Sequence, residues 1–479
     1  MAIKVISASN IKTEPIAFQF KDDTSTVLFV ESLNYAPYLY IKKLNASIDG
    51  TSIDVRDIIY VKLFNSKFLP EIEICCQDSK GILFNDLYPF DHDTLLCIFV
   101  KSNSEIFMPI RMDFRVTEYE STKSDQLRDI FKYTIKGILN VDDLHYTEYK
   151  SHKGTSYNIL KDLALNMNLG FASNVESSND EMKWINPSNT NIEFIKDVTK
   201  YSYISDEAFV WTFIDFYYNL NYIDIQKEMN EFYKDEKGSI LDPKFQKTPE
   251  EIQSNLYLTN NKAFNQTNSY IAKFSLVNES FKVNLQKFYQ MKATWYDKNE
   301  NTIFKTLLKQ LENDENKLSE GEGNLKQLTD KESTIFIKNL NDEYFIGKSD
   351  TKDNVHKKYS FAKLLNKYNL DSMGKMKMVV TLYQANFAIK RFQNIRLDIY
   401  NPEDMFSNKA ATKSPADSIN STLSGYWYVT GIDYTYKRSG GVEQEITLMR
   451  RDLSIDYGKS SKEKNDLRAV THPPGSGGK

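Results

Sequence analysis

Trp184-Ile185-Asn186-Pro187-Ser188-Asn189-Thr190-Asn191-Ile192-Glu193-Phe194-Ile195, followed through Tyr201 to Phe213-Ile214-Asp215-Phe216-Tyr217-Tyr218-Asn219-Leu220-Asn221-Tyr222-Ile223-Asp224, is the stretch on which the fold turns. Phe194, Ile195 and Val198 share one side at helical spacing, which predicts a helix over about Asn191–Tyr201. From Phe213 to Ile225 the run of aromatic and β-branched residues predicts two strands around a turn at Asn219-Leu220-Asn221. A further helix is expected to start at Ser205, where Asp206 and Glu207 would favour an N-terminus through the helix dipole. Upstream, Ile159, Leu160, Leu163 and Met167 fall on one face of a helix that Thr155 or Ser156 can cap and Gly170 can stop. With a strand expected over Phe131–Leu139, the residues from Tyr133 to Ile225 make a compact α+β module.

Outside this module the pattern is β. Toward the N-terminus, Val27–Val30, Tyr38–Ile41, Ile58–Val61, Ile72–Cys75, Leu95–Val100 and Met112–Val116 recur between turn residues such as Asp78-Ser79-Lys80-Gly81 and Tyr88-Pro89-Phe90-Asp91. Such spacing predicts a small sandwich or barrel. Beyond the module, charges dominate from Gln226 to Pro249, and strands are expected at Tyr270–Val277, Lys287–Tyr296, Thr334–Ile337, Lys377–Leu382, Ile395–Tyr400, Tyr426–Tyr436 and Glu445–Leu448. A charged segment over 310–333, including Gly321-Glu322-Gly323, is expected as a loop, and 458–479 as a disordered tail. The domain expectation is 1–120, 121–240 and 241–457, a β-dominated α+β chain.

A chain of 479 residues exceeds what one hydrophobic core usually organises. No segment reaches the roughly 18 uninterrupted apolar residues of a membrane helix, so no membrane span is expected. The opening Met1–Asn10 has no apolar h-region, so synthesis in a cytoplasm without a secretory leader is expected. A net charge of -4 argues against a chain built to grip phosphates. Its 30 Tyr and 29 Phe suit strands and subunit contacts. Cys75, Cys76 and Cys97 are too few for a disulfide framework and are expected as core residues, the first two on opposite faces of a strand.

Searching for chemistry leaves no assigned catalytic, cofactor or metal residue. None of His92, His145, His152, His356 and His472 pairs at the spacing that puts two ligands on one helix face; Asp91-His92-Asp93 gathers three possible ligands, but neighbouring strand residues alternate faces and a polar turn before Leu95 explains them equally well. There is no G-x-S-x-G elbow or Walker A run, and Gly321-x-Gly323 lacks the third glycine and strand-to-helix setting of a dinucleotide site. The 65 acidic residues leave a glycosidase pair countable but not locatable.

The ordered series Gly154–Leu160, Leu169-Gly170-Phe171, Trp184–Ile195 and Tyr201 resembles the middle region of baseplate hub proteins of contractile-tailed phages, a family related to type VI secretion spike hubs. In that family a short helix, a Trp-bearing strand, a helix and a fold-back strand pair lie between two tube-like barrels. Leu423–Ile432, followed by Glu445–Arg451, is similar to the closing hairpin of the second barrel. The resemblance implies a fold of two tube-like β-barrel or sandwich domains flanking a small α+β module. It implies signature structural positions at Trp184, Phe194, Tyr201, Phe213, Tyr222, Gly425, Tyr426, Val429 and Arg450. It further implies a non-enzymatic homotrimer joining a hexameric tail tube to a trimeric central spike, beside a tape-measure protein, in the baseplate of a virion, with DNA passing through its lumen. The competing functions are a tail-associated peptidoglycan- or polysaccharide-degrading enzyme, a carbohydrate-binding receptor module and a secretion-system spike hub.

Overall fold

The computed structural model describes residues 4–6, 38–44, 50–100, 110–123, 130–206, 208–228, 257–262, 265, 267, 269–278, 290–297, 302–307, 332–337, 356, 358–373, 376–382, 384–386, 389–400, 419–420, 423–438 and 442–450. The expected strand at Val27–Val30, most of the charged segments 226–249 and 310–333, and the tail 458–479 lie outside the described residues.

Toward the N-terminus run β1 (Lys4–Ile6), β2 (Tyr38–Lys43), β3 (Thr51–Ser52), β4 (Ile58–Asn65), β5 (Glu71–Asp78), β6 (Thr94–Val100), β7 (Ile110–Lys123) and β8 (Phe131–Leu139). The middle holds β9 (Thr147–Gly154), α1 (Ser156–Asn166), β10 (Gly170–Ser173), β11 (Met182–Thr190), α2 (Asn191–Tyr201), β12 (Val210–Ile214) and β13 (Asn219–Asp224). There follow β14 (Tyr257–Thr259), β15 (Ile271–Asn278), β16 (Gln290–Asp297), β17 (Thr302–Leu307), β18 (Glu332–Ile337), α3 (Tyr359–Met373), β19 (Met376–Leu382), β20 (Asn394–Asp398), β21 (Gly425–Lys437) and β22 (Val442–Arg450).

The chain is β-dominated, and among the described residues its largest unit is a 13-stranded sheet in the order β15-β19-β22-β21-β4-β5-β8-β7-β6-β2-β3, with β20 on β21 and β14 on β20. Strands from both ends of the chain therefore share one sheet. The join is β4 against β21, antiparallel from Ile432↔Asn65 to Lys437↔Tyr60. Strands stand before and after the module along the chain, and their hydrogen bonding is continuous through one sheet.

Both cysteines of β5 are buried, although they face opposite ways. A central strand covered on both sides has this property, and it is why Cys75-Cys76 could sit in a strand without alternation.

The middle module is a four-stranded sheet, β1-β10-β13-β12, beside the β9–β11 ribbon. Thr155 caps α1 by accepting from Asn158 N, and Thr190 caps α2 in a reciprocal box with Glu193. Three local expectations are corrected. Gly170 does not stop α1: Asn168, at φ 58, takes the left-handed position, and Gly170 opens β10. The fold-back turns at Asp215–Tyr218 rather than Asn219–Asn221, because the Asp215 carboxylate accepts from the backbone N–H of Tyr217 and Asn219, both at 2.9 Å. No helix starts at Ser205: its Oγ accepts from Ala208 N at 3.2 Å in a turn, and β12 begins two residues later.

Every residue of β13 is buried. Alternation sends Leu220 and Tyr222 into the main core and Ile223, with Ile225 beyond the strand, into a second cluster with Phe209, Phe213, Met373, Phe392 and Tyr428. That second cluster joins the outer side of the module to α3 and β21. Helix α3 was not expected from the sequence, and it brings the later part of the chain back onto α2.

Candidate functional site

Strand β21 changes partners along its length. Gly425 to Tyr428 pair with β20, while Ile432 to Lys437 pair with β4 on the same edge. Between the two lies a register shift against β22 at Val429/Gly431. A Cβ on Gly431 would sit 2.8 Å from Ser66 Cβ, so the turn after β4 can approach only a glycine.

Arg391 fills this branch point. Its Nε donates to Thr430 O at 2.8 Å, Nη1 to Lys67 O at 2.7 Å and Asn65 Oδ1 at 3.3 Å, and Nη2 to Ser66 O at 3.3 Å. The guanidinium lies 4.2 Å from the ring centroid of Phe213. One side chain thus ties the β4–β5 turn, the β21 bulge and strand β12 of the module. Burial lowers its pKa to about 9, against the opposing fields of Asp433 and Asp215, so it is charged at neutral pH.

Asp433 completes the branch by accepting from Asn65 N at 3.0 Å. Burial pushes its carboxyl up to about 6. Its folded pKa lies above the unfolded value of 3.8, so between about pH 6 and 4 the folded chain holds a proton that the unfolded chain has lost. This group therefore adds stability as pH falls through 6, and its contribution levels off below about 4. Asp433→Asn keeps the acceptor and removes the titration. We expect the wild type to gain on the variant by about 1.4 kcal/mol per pH unit of acidification in that window, read from urea midpoints at stepped pH. Parallel stability profiles would contradict this.

A second buried polar centre holds the module together. Ser156 Oγ contacts Ser178 Oγ at 3.0 Å, Ser202 Oγ at 2.7 Å and the Tyr222 hydroxyl at 3.2 Å, and Ser202 also bonds Tyr222. Asp180 accepts from Ser156 N at 2.9 Å, Ser178 Oγ at 2.6 Å and Tyr203 N at 2.9 Å. His356 lies beside this network with Nε2 3.2 Å from Tyr201 O, and because a carbonyl only accepts, the proton sits on Nε2. Burial lowers its pKa to about 4, which leaves it neutral at neutral pH. Ser156 Oγ is engaged by other hydroxyls, all buried, and the centre is built as a knot between α1, α2, β13 and the approach to α3. Asn366 of α3 closes the C-terminal end of α2: its Nδ2 is 2.9 Å from Ser202 O and 3.2 Å from Lys200 O, while its Oδ1 accepts from Val210 N at 3.0 Å.

The nine residues singled out from sequence fall into two groups. Trp184, Phe194, Tyr201, Phe213 and Tyr222 are all buried in or against the module. Trp184 Nε1 donates to Gly154 O at 3.0 Å, Phe194 stacks on His152 with centroids 5.4 Å apart, and Tyr201 stacks on Tyr359 at 4.0 Å. Gly425, Tyr426, Val429 and Arg450 cluster on β21 and β22. Gly425 has φ 112, which favours glycine. Val429 N donates to Gln393 O at 2.9 Å, Arg396 lies 5.6 Å from the Tyr426 ring, and Arg450 Nη1 donates to Ser424 O at 3.2 Å.

Sequence reasoning missed Arg391, Asp433, His356 and Asn366. For Asn366 a signal existed, since Tyr359, Ala362, Leu365, Asn366, Asn369 and Met373 recur at helical spacing and all are buried. Among the described residues no group of three or more His, Cys, Asp or Glu side chains could hold a metal ion, and no helix is long and apolar enough to cross a membrane.

In fold, the chain is similar to phage-type tail proteins and to VgrG complexes. It covers 86% of its length against 96% of the tail protein from Neisseria meningitidis MC58, at 8% identity and a TM-score of 0.46. The 43 kDa tail protein of prophage MuSo2 from Shewanella oneidensis matches over 87% of this chain and 99% of that one, at 10% identity and a TM-score of 0.46. For the half-lidded Francisella PdpA-VgrG complex the shares are 92% and 63%, at 12% identity and a TM-score of 0.43. No family model and no curated protein matches the chain.

Proposed function

We propose that this chain is the structural hub of a phage tail baseplate, a homotrimeric adaptor between a hexameric tail tube and a trimeric central spike, in contact with a tape-measure protein. Its domains are taken as 1–120, 121–240 and 241–457, with the nine signature residues acting as architecture. The observation that carries this reading is the β4–β21 join. Two strand-rich halves fused through one sheet, and locked to the module by Arg391, suit a part that passes load between differently shaped neighbours. The motif order supports it as well: a capped helix, a Trp-bearing strand, a second capped helix and a fold-back pair occur in that order and share one core. A net charge of -4 suits a lumen through which DNA slides without adhering.

The test is assembly. Co-expressed with a trimeric spike protein and a tail-tube protein from the same source, the chain should give the mass of three copies by light scattering and co-elute with the spike. A stable monomer that binds neither would overturn the proposal.

A further inference from the structure

His356 stands just ahead of α3, where the late part of the chain returns to the module. Its ring is buried among Trp184 of β11 at 6.3 Å, Tyr203 after α2 at 6.3 Å and Tyr359 of α3 at 5.7 Å between centroids. Only one ring nitrogen is engaged. Nε2 donates to Tyr201 O, while Nδ1 is buried without a hydrogen-bond partner among the described residues. The backbone couples the ring to the helix, because His356 O accepts from Tyr359 N at 3.1 Å as α3 begins, and Tyr359 in turn stacks on Tyr201.

A neutral imidazole suits this cage and an imidazolium does not. Protonation at Nδ1 creates a second N–H with no acceptor beside it, and a buried charge without a partner is costly. The charged and titratable groups around the ring give little relief. Asp180, on the approach to β11, is the acid whose field reaches the ring, but its oxygens already accept from Ser156 N, Ser178 Oγ and Tyr203 N. Asp206 is paired with Lys358 at 3.1 Å and also accepts from the Tyr203 hydroxyl at 2.7 Å. Lys200 and Lys363 stand 5.4 Å from the Tyr201 ring, where their charge opposes another cation. The aromatic centroids lie close to the limit of cation–π attraction, about 6 Å. Burial accordingly lowers the His356 pKa from 6.5 to about 4, against the pull of Asp180 and Tyr201 O.

We propose that His356 is an acid-released latch: neutral, it pins the start of α3 against β11 and the end of α2; protonated, it leaves the cage and frees α3 from the module. The folded pKa lies below the unfolded one, so the latch is whole above about pH 6.5 and is lost as pH falls toward 4. When α3 leaves, Asn366 gives up Ser202 O and Met373 leaves the second cluster. The latch depends only on how α3 is packed and stands apart from the hub proposal.

Hydrogen exchange of the full chain at about pH 7 and about pH 4.5, corrected for intrinsic rates, tests it by comparing α3 with β5. In the wild type, opening of α3 relative to β5 should rise by roughly tenfold or more on acidification. In His356→Gln, whose amide keeps a donor for Tyr201 O and does not titrate, the rise should stay below about twofold. Asp433, whose titration acts with the opposite sign, is present in both chains. A wild-type α3 that opens no more than β5, or a glutamine variant that opens as far as the wild type, overturns the latch. Should circular dichroism show that the variant does not fold, deuterium exchange at the His356 Cε1–H of the wild type decides. A midpoint near 6.5 then overturns the proposal, and one below about 5 together with release of α3 upholds it.

Discussion

Replacing Arg391 by leucine should cost about 3 kcal/mol or more of stability and should loosen the β4–β5 turn before the rest of the sheet. Buried charges need not stabilise, and an ion pair exchanged for apolar residues of similar volume is often neutral. Arg391 differs because three of its acceptors are backbone carbonyls, Ser66 O, Lys67 O and Thr430 O, which no substitution removes. The buried Thr430 carbonyl left without a donor costs about 1–3 kcal/mol, the part-buried Ser66 and Lys67 carbonyls, which water can reach, about 0.5–1 kcal/mol each, and losing the contact with the Phe213 ring adds about 1 kcal/mol more. Returning the guanidinium's desolvation to the balance offsets part of that sum. Arg391→Lys should fall between, because an ammonium on one stem cannot span acceptors on both sides of a planar fork. The check is the urea unfolding midpoint together with hydrogen exchange at residues 65–68. A loss below about 1 kcal/mol in the leucine variant, with unchanged exchange there, would show that the strand pairing alone holds the two halves.

This junction also marks where sequence reading stops. The strands around it were legible, since Ile58–Val61 and Tyr426–Tyr436 carry the right residues between turn signals. Their pairing was not, because Asn65 and Asp433 are 368 positions apart and nothing local marks either as a branch. Arg391 stands in Ile389-Lys390-Arg391-Phe392, a run with no pattern of its own, and its meaning comes from carbonyls more than 300 residues away. The module was more readable because helices α1 and α2 announce themselves through caps and apolar spacing within a dozen residues. Its errors were local competitions. Asp215 took the turn from the Asn219–Asn221 run because its carboxylate reaches the N–H groups two and four residues on. Asn168 took the helix stop from Gly170 because a left-handed asparagine came first. The acidic start at Ser205 lost to sheet pairing, in which Val210 to Ile214 gain hydrogen bonds to β13.

Trp184→Ala should be the most damaging single truncation in the module, at about 3–5 kcal/mol. The indole is 1% exposed, one of the largest fully buried side chains, and sits in the main core on β11. Its Nε1 donates to Gly154 O, where the chain leaves β9 for α1, and its ring lies 6.3 Å from His356 on the approach to α3. Alanine therefore opens a cavity and orphans a carbonyl at the point where the ribbon, the first helix and the late helix meet. Trp184→Phe separates the two effects: most of the volume returns while Gly154 O stays without its donor, so a loss of about 1–3 kcal/mol is expected. Denaturant midpoints of the two variants give the comparison. Equal losses would mean that the hydrogen bond, rather than the packing, fixes this residue. A negligible loss in the alanine variant would mean that the ribbon is dispensable to the module, and with it the place of Trp184 among the structural positions.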